Sequence, residues 1–184
     1  MSAMSAASSG QVYYAVVENR ALLKLAGAIR YPLSQRLNLA LGRMFAKAHV
    51  RGVVVDLQEV EFIDSTCMGL LARVATRCLE LDCERPVIVS VRPEVNRLLR
   101  SMGFDRVFVL ITDPAAPTAG LADAAELAGI TKRPDPKLVL EAHRALCRIN
   151  ETNLHLFQNV VEQLQSEVLD DEACRSSTLG PSSF

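Results

Sequence analysis

The chain has 184 residues, 49% of them hydrophobic and 22% charged, with a formal net charge of -1, which is ordinary for a globular domain with additions. That balance excludes the clustered basic excess expected of a nucleic-acid or anionic-membrane binder. No apolar run approaches the roughly 20 residues of a membrane span.

The opening MSAMSAASSG has neither the charged region nor the apolar region of a secretion signal, so residues 1–10 are expected to be a flexible N-terminus and the location cytoplasmic. VYYAVV (12–17) and ALLKLAG (21–27) are strand-like runs separated by Glu18, Asn19 and Arg20, which predicts an antiparallel hairpin. After Pro32, Ser34 is a candidate N-cap. Leu37, Ala40, Leu41, Met44, Phe45 and Ala48 then recur at helical spacing, predicting a first helix with one apolar face.

Gly52 ends that pattern, and VVVDL (53–57) reads as a strand covered on both faces. Met68, Leu71, Ala72, Ala75, Cys78 and Leu79 form a second helical face, with Arg73, Arg77 and Glu80 opposite. PVIVSV (86–91) is another strand. Pro93 suits the first position of a third helix carrying Val95, Leu98, Leu99 and Met102, with Gly103 as its stop, and VFVLI (107–111) closes the series. Alternating strands and helices after an opening hairpin predict an α/β fold over residues 11–112: a mostly parallel sheet of four to five strands with three or more helices.

Residues 113–133 are rich in alanine, glycine and proline and read as a linker. Beyond them, Val139, Ala142, Leu146, Ile149, Asn153, Leu156 and Val160 recur at steps of three and four, predicting one long C-terminal helix over 134–170. Its seam needs a partner surface. A polar Asn153 inside the seam suits a homodimer register or a regulator's docking site, and packing back on its own domain is the alternative. Residues 171–184 read as a disordered tail.

The five cysteines, Cys67, Cys78, Cys83, Cys147 and Cys174, are odd in number and lack C-x-x-C spacing, so neither a disulfide framework nor a zinc site is expected. The stretch with chemical interest is IDSTCMG (63–69), where a strand feeds a helix and an acid precedes two hydroxyls. Unpaired N–H groups and the positive end of the dipole favour functional groups at such a junction. Asp64 or Ser65 serving only as a helix cap is the simplest reading.

Asp64, Ser65, Thr66, Cys67, Met68 and Gly69, in this order of elements, resemble the core motif of the STAS domain of bacterial anti-sigma factor antagonists, and the resemblance covers most of residues 11–112. It implies partner switching controlled by reversible phosphorylation of Ser65, with Thr66 as runner-up. Asp64, Ser65, Thr66, Met68, Leu70 and Arg73 would then face the partner. The implied partners are a serine kinase or anti-sigma factor of the GHKL type and a metal-dependent serine phosphatase; nucleic acid, membrane insertion, cofactor and bound metal are not called for. Two positions depart from the pattern. Cys67 stands where many members carry glycine or another very small residue, and Arg30 stands where antagonists usually carry an acid.

A catalytic role is weaker in the sequence. Cys67 and Arg73 have the C-x-x-x-x-x-R spacing of cysteine-dependent phosphatases, but the residues between them read as helix interior. For Ser65 as a hydrolase nucleophile, nothing in the sequence ties His49, His143 or His155 to it. The protein is therefore expected not to be an enzyme. The rival binding reading is a non-phosphorylated STAS adaptor subunit, as in ABC-type lipid transport complexes.

Overall fold

The computed structural model describes residues 9–46, 50–113, 125–127 and 135–177. Strand β1 (Gln11–Val17) and strand β2 (Arg20–Ile29) form the expected hairpin, with Val17 paired to Arg20 and Glu18 in the left-handed region at φ 53°. A single 3-10 turn (Tyr31–Leu33) leads into helix α1 (Ser34–Ala46). Then follow strand β3 (Gly52–Ile63), helix α2 (Ser65–Glu80), strand β4 (Val87–Val89), helix α3 (Pro93–Ser101), the short helix α4 (Phe104–Val107) and strand β5 (Val109–Ile111).

The sheet has the order β5-β4-β3-β2-β1-β6, with β2, β3, β4 and β5 parallel to one another and β1 antiparallel to β2. The α/β class and the mostly parallel sheet therefore agree with the sequence pattern. β3 reaches beyond the apolar run VVVDL to Ile63, and its ladder with β2 carries irregularities between Lys24 and Ala26 and between Gly27 and Ala28. Such bulges let a strand bend at a functional edge. This bent, less apolar end delivers Asp64 and Ser65 to the start of α2.

Several expectations are corrected. Ser34 does not cap α1: its backbone is already helical and its Oγ is buried with no hydrogen-bond partner, because the 3-10 turn before it has taken over the helix entry. Leu79 is 84% exposed, since α2 has turned its last apolar position away from the core. The stretch 113–133 is not wholly a linker, as Ala125–Glu126 forms a sixth strand, β6, antiparallel to β1, with Leu127 buried beside it.

The C-terminal region is two helices instead of one: α5 (Pro136–Cys147) and α6 (Glu151–Ser177). Asn150 breaks the run. Its Oδ1 accepts from the Asn153 N–H at 2.7 Å, the interaction of an N-cap. Asn153 is fully buried, and its Nδ2 donates to the Leu146 and Met102 carbonyls, each at 3.0 Å. The seam asparagine is thus engaged within its own chain at a helical hairpin, where the seam reading had offered it as a dimer register. α6 also extends into the expected tail, as far as Ser177. Most of the N-terminal segment 1–10, Ala48, His49, most of 113–133 and residues 178–184 lie outside the described residues.

The core lies between the sheet and the helices. Leu23, Leu25, Ile29, Leu37, Met44, Leu57, Met68, Leu70, Leu71, Ile88, Phe104 and Phe108 are among its fully buried large side chains, and Phe104 and Phe108 stack with centroids 5.5 Å apart. The buried face of α5 joins this core through Leu138, Ala142, Ala145 and Leu146.

Candidate functional site

Ser65 is the first residue of α2, at the carboxyl end of β3, and it is half-buried. Asp64, in extended conformation, caps the helix: its Oδ1 accepts from the Cys67 N–H at 2.9 Å, while its Oδ2 accepts from the Tyr31 N–H. The Asp64 N–H in turn donates to the Ile29 carbonyl at 3.0 Å. One carboxylate thereby fastens the loop after β2 to the first turn of α2. Local sequence predicts the cap; the long-range tie to Tyr31 depends on the parallel pairing of β2 with β3.

The Ser65 hydroxyl meets a side chain that the sequence had not linked to it. Ser65 Oγ lies 3.1 Å from Nε2 of His143 on α5, and His143 Nδ1 lies 2.9 Å from the Val139 carbonyl. That carbonyl can only accept, so in the neutral imidazole Nδ1 carries the proton and Nε2 accepts from the serine hydroxyl. His143 is 5% exposed and sits edge-on to Phe157 of α6. The absence of any histidine linked to Ser65, expected from the sequence, is therefore corrected. A signal was present, since His143 lies next to Ala142 and four residues after Val139, beside the apolar seam of a C-terminal helix that needs a partner surface.

A serine held by a histidine is the beginning of a nucleophile, yet the geometry opposes catalysis at this pair. The hydroxyl points into the packed junction of α2 and α5. At Gly69, one turn along α2, an added Cβ would lie 2.1 Å from the Ala142 carbonyl oxygen. The two backbones thus touch beside the dyad, and the second nitrogen of His143 bonds a backbone carbonyl in the place where a triad carries its carboxylate.

The cysteine reading fares no better. Cys67 is fully buried, its Sγ donates to the Arg30 carbonyl at 3.6 Å, and burial first, then the Asp64 charge and hydrogen bond, push its thiol far above the usual range. A phosphatase thiolate requires the opposite shift.

The other expected site residues are split by the fold. Thr66 is buried, and Met68 and Leu70, expected on the partner-facing surface, are 2% and 0% exposed; in this conformation neither can reach a partner. Arg73 is half-buried and donates to Asn38 Oδ1 on α1 at 3.2 Å. With Asn38, Gly42, Arg77, Glu141 and Arg148 it lines a groove of about 550 Å³ between α1, α2 and α5. Arg30 packs its guanidinium 4.6 Å from the Phe62 ring centroid on the protruding end of β3. Among the described residues there is no cluster of His, Cys, Asp or Glu able to hold a metal ion, and no helix is long and apolar enough to cross a membrane.

A family model described as the STAS domain matches residues 13–119. The chain belongs to the STAS domain family. Among solved structures, this STAS chain is similar to an anti-sigma factor antagonist from Mycobacterium paratuberculosis, with 21% identity and a TM-score of 0.50 over 65% of this chain and 100% of that one. It is also similar to the anti-sigma factor antagonist SpoIIAA in its unphosphorylated form (17% identity, TM-score 0.48, 57% of this chain and 91% of that one). The phosphorylated form of the Bacillus cell fate determinant SpoIIAA gives 16% identity and a TM-score of 0.45 over 58% of this chain and 95% of that one. No curated protein sequence matches the chain. The family match ends at residue 119, before the α5–α6 hairpin that contacts Ser65 begins at Pro136.

Proposed function

We propose that this STAS protein is an anti-sigma factor antagonist that acts in the cytoplasm by partner switching, under the control of reversible phosphorylation at Ser65. The observation that carries the reading is the place of Ser65: the first residue of α2 at the carboxyl end of a central parallel strand, its backbone fixed by the Asp64 cap. The anti-sigma factor antagonist from Mycobacterium paratuberculosis, which shares the fold, lends support. In this role the protein is a substrate and not a catalyst.

Physical chemistry makes the switch intelligible. A phosphate adds about -1.5 to -2 charge and three acceptor oxygens, which a helix N-terminus tolerates. A protein partner packed on the same surface does not, because burying an unpaired dianion at an interface is costly. Unmodified protein binds and modified protein releases. The partners of this reading are a serine kinase or anti-sigma factor of the GHKL type and a metal-dependent serine phosphatase that restores the hydroxyl. Thr66 is buried behind Ser65 and is the weaker acceptor.

The test is intact mass and site mapping of protein from its native cells, with pull-downs of wild type, Ser65→Ala and Ser65→Asp. A phosphate on Ser65, with partners kept by the alanine form and shed by the aspartate form, is the expected result. Absence of modification under all growth conditions, with the same partners held by all three forms, would leave the adaptor-subunit reading in its place.

A further inference from the structure

The α2 face that carries Ser65 is already occupied. Ser65 and Gly69 lie four residues apart, on one side of α2, and both meet α5 at adjacent residues: His143 bonds the hydroxyl and the Ala142 backbone sits against Gly69. A second glycine receives the far end of the hairpin. Gly103, at φ 74°, is where an added Cβ would lie 2.4 Å from Asn150 Nδ2 and 3.0 Å from Ile149 Cγ2. Asn153 fastens the same corner to the Met102 carbonyl. The hairpin is thus seated at two points where the sheet domain has no side chain.

We infer that the α5–α6 hairpin is a built-in occupant of the switch surface, and that its docking and phosphorylation of Ser65 exclude one another. The inference deepens the proposed function and takes its biological meaning from that reading, but its physical basis is separate. A phosphate on Oγ places three oxygens and nearly two charges where a buried imidazole nitrogen now stands at 3.1 Å. The adjacent helix backbones are already in contact and cannot part without unseating α5. Asp64, the nearest acid, adds repulsion.

Release of the hairpin uncovers the part of α2 that a partner would need. The cis occupant also defines what such a partner must offer: a helix with a small residue against Gly69 and, beside it, an acceptor for the Ser65 hydroxyl. A partner and the hairpin therefore compete. Modification of Ser65 first requires the hairpin to open and then keeps it open.

The test uses the full chain with phosphoserine installed at position 65 by amber suppression, and needs no kinase. Amide hydrogen exchange is followed in α5 and, as the fold control, in β2 and β3. Relative to wild type, exchange in α5 is expected to accelerate by roughly a hundredfold or more, the factor that corresponds to an uncompensated charge forced into a buried contact, with β2 and β3 unchanged. Ser65→Ala, which loses the hydrogen bond but adds no bulk or charge, stays within about tenfold of wild type.

Equal or stronger protection of α5 in the phosphoserine chain would overturn the inference, since it would mean that His143 takes a proton and pairs with the phosphate in place. Loss of protection in β2 and β3 as well, or the same release in Ser65→Ala, would overturn it too. Because the phosphate is installed, these outcomes are independent of whether native cells phosphorylate Ser65, which alone decides the proposed function.

Discussion

Strand β3 and helix α6 are both long, and their surroundings differ. β3 is hydrogen-bonded to β2 on one side and β4 on the other, and Val53, Val55, Leu57, Val60 and Ile63 along it are buried. α6, by contrast, buries Asn153 and Phe157 near its start, while Leu154, Leu156, Val160 and Leu169 stand exposed. The sheet domain is held by apolar area and paired backbone distributed over many elements. The hairpin is held mainly along α5 and at its asparagine corner, a smaller and more polar attachment. Regions of this second kind open locally at a lower cost than the whole domain.

Three substitutions and a titration test that contrast. The largest effect is expected from Phe108→Ala, which removes a buried ring stacked on Phe104. It should cost about 3–5 kcal/mol, read as a lower denaturant midpoint for sheet and hairpin together. Leu146→Ala on the buried face of α5 should cost about 2–5 kcal/mol, but hydrogen exchange should place the loss in α5 and α6, with β3 still protected. A uniform loss would show that the hairpin is an integral part of the core and break the comparison.

Asn153→Ala removes two hydrogen bonds, to the Leu146 and Met102 carbonyls, which keep the Ile149 N–H and Asn150 Nδ2 as donors; the loss is about 0.5–1.5 kcal/mol per bond, again confined to the hairpin. The smallest effect concerns pH. The Cys78 thiol is raised from 9.0 to about 12, chiefly by burial and then by Cys83, and Cys67 is raised further still. A raised thiol favours the neutral form in the folded state, so its contribution is complete below pH 9 and is lost as pH climbs toward 12. Alkaline unfolding curves should therefore slope downward above pH 9 in wild type and less steeply in Cys67→Ala, where the raised Cys78 thiol remains.

The sheet domain was legible because its signals are periodic. VVVDL and PVIVSV mark buried strands, the apolar steps from Met68 mark α2, and Pro93 marks the start of α3. Ser34 misled because a hydroxyl after proline is a cap by local rules, whereas the 3-10 turn had already supplied the entry. The break before Asn150 is hidden because the heptad spacing runs straight through it; α5 ends at Cys147 and the cap from Asn150 to Asn153 starts α6. At the site, Asp64 and Ser65 were marked by their place between strand and helix. His143 could not be assigned to Ser65 from spacing, since the two are 78 positions apart and meet only when α5 lies across α2. Met68 and Leu70 read as surface residues because the family pattern names positions near the serine without saying which way each side chain turns; both turn into the core.

The short strand β6 has a consequence of its own. β1 would otherwise end the sheet with open N–H and C=O groups, and an unpaired edge of that kind recruits strands from other molecules. Ala125 and Glu126 pair with Tyr14 and Tyr13, the Leu127 N–H bonds the Val12 carbonyl at 3.0 Å, and so part of that edge is closed from within the chain. A chain shortened at Thr112 loses this closure along with the hairpin. Self-association of such a fragment would then report an uncovered sheet margin, and it would say nothing about how the intact protein assembles.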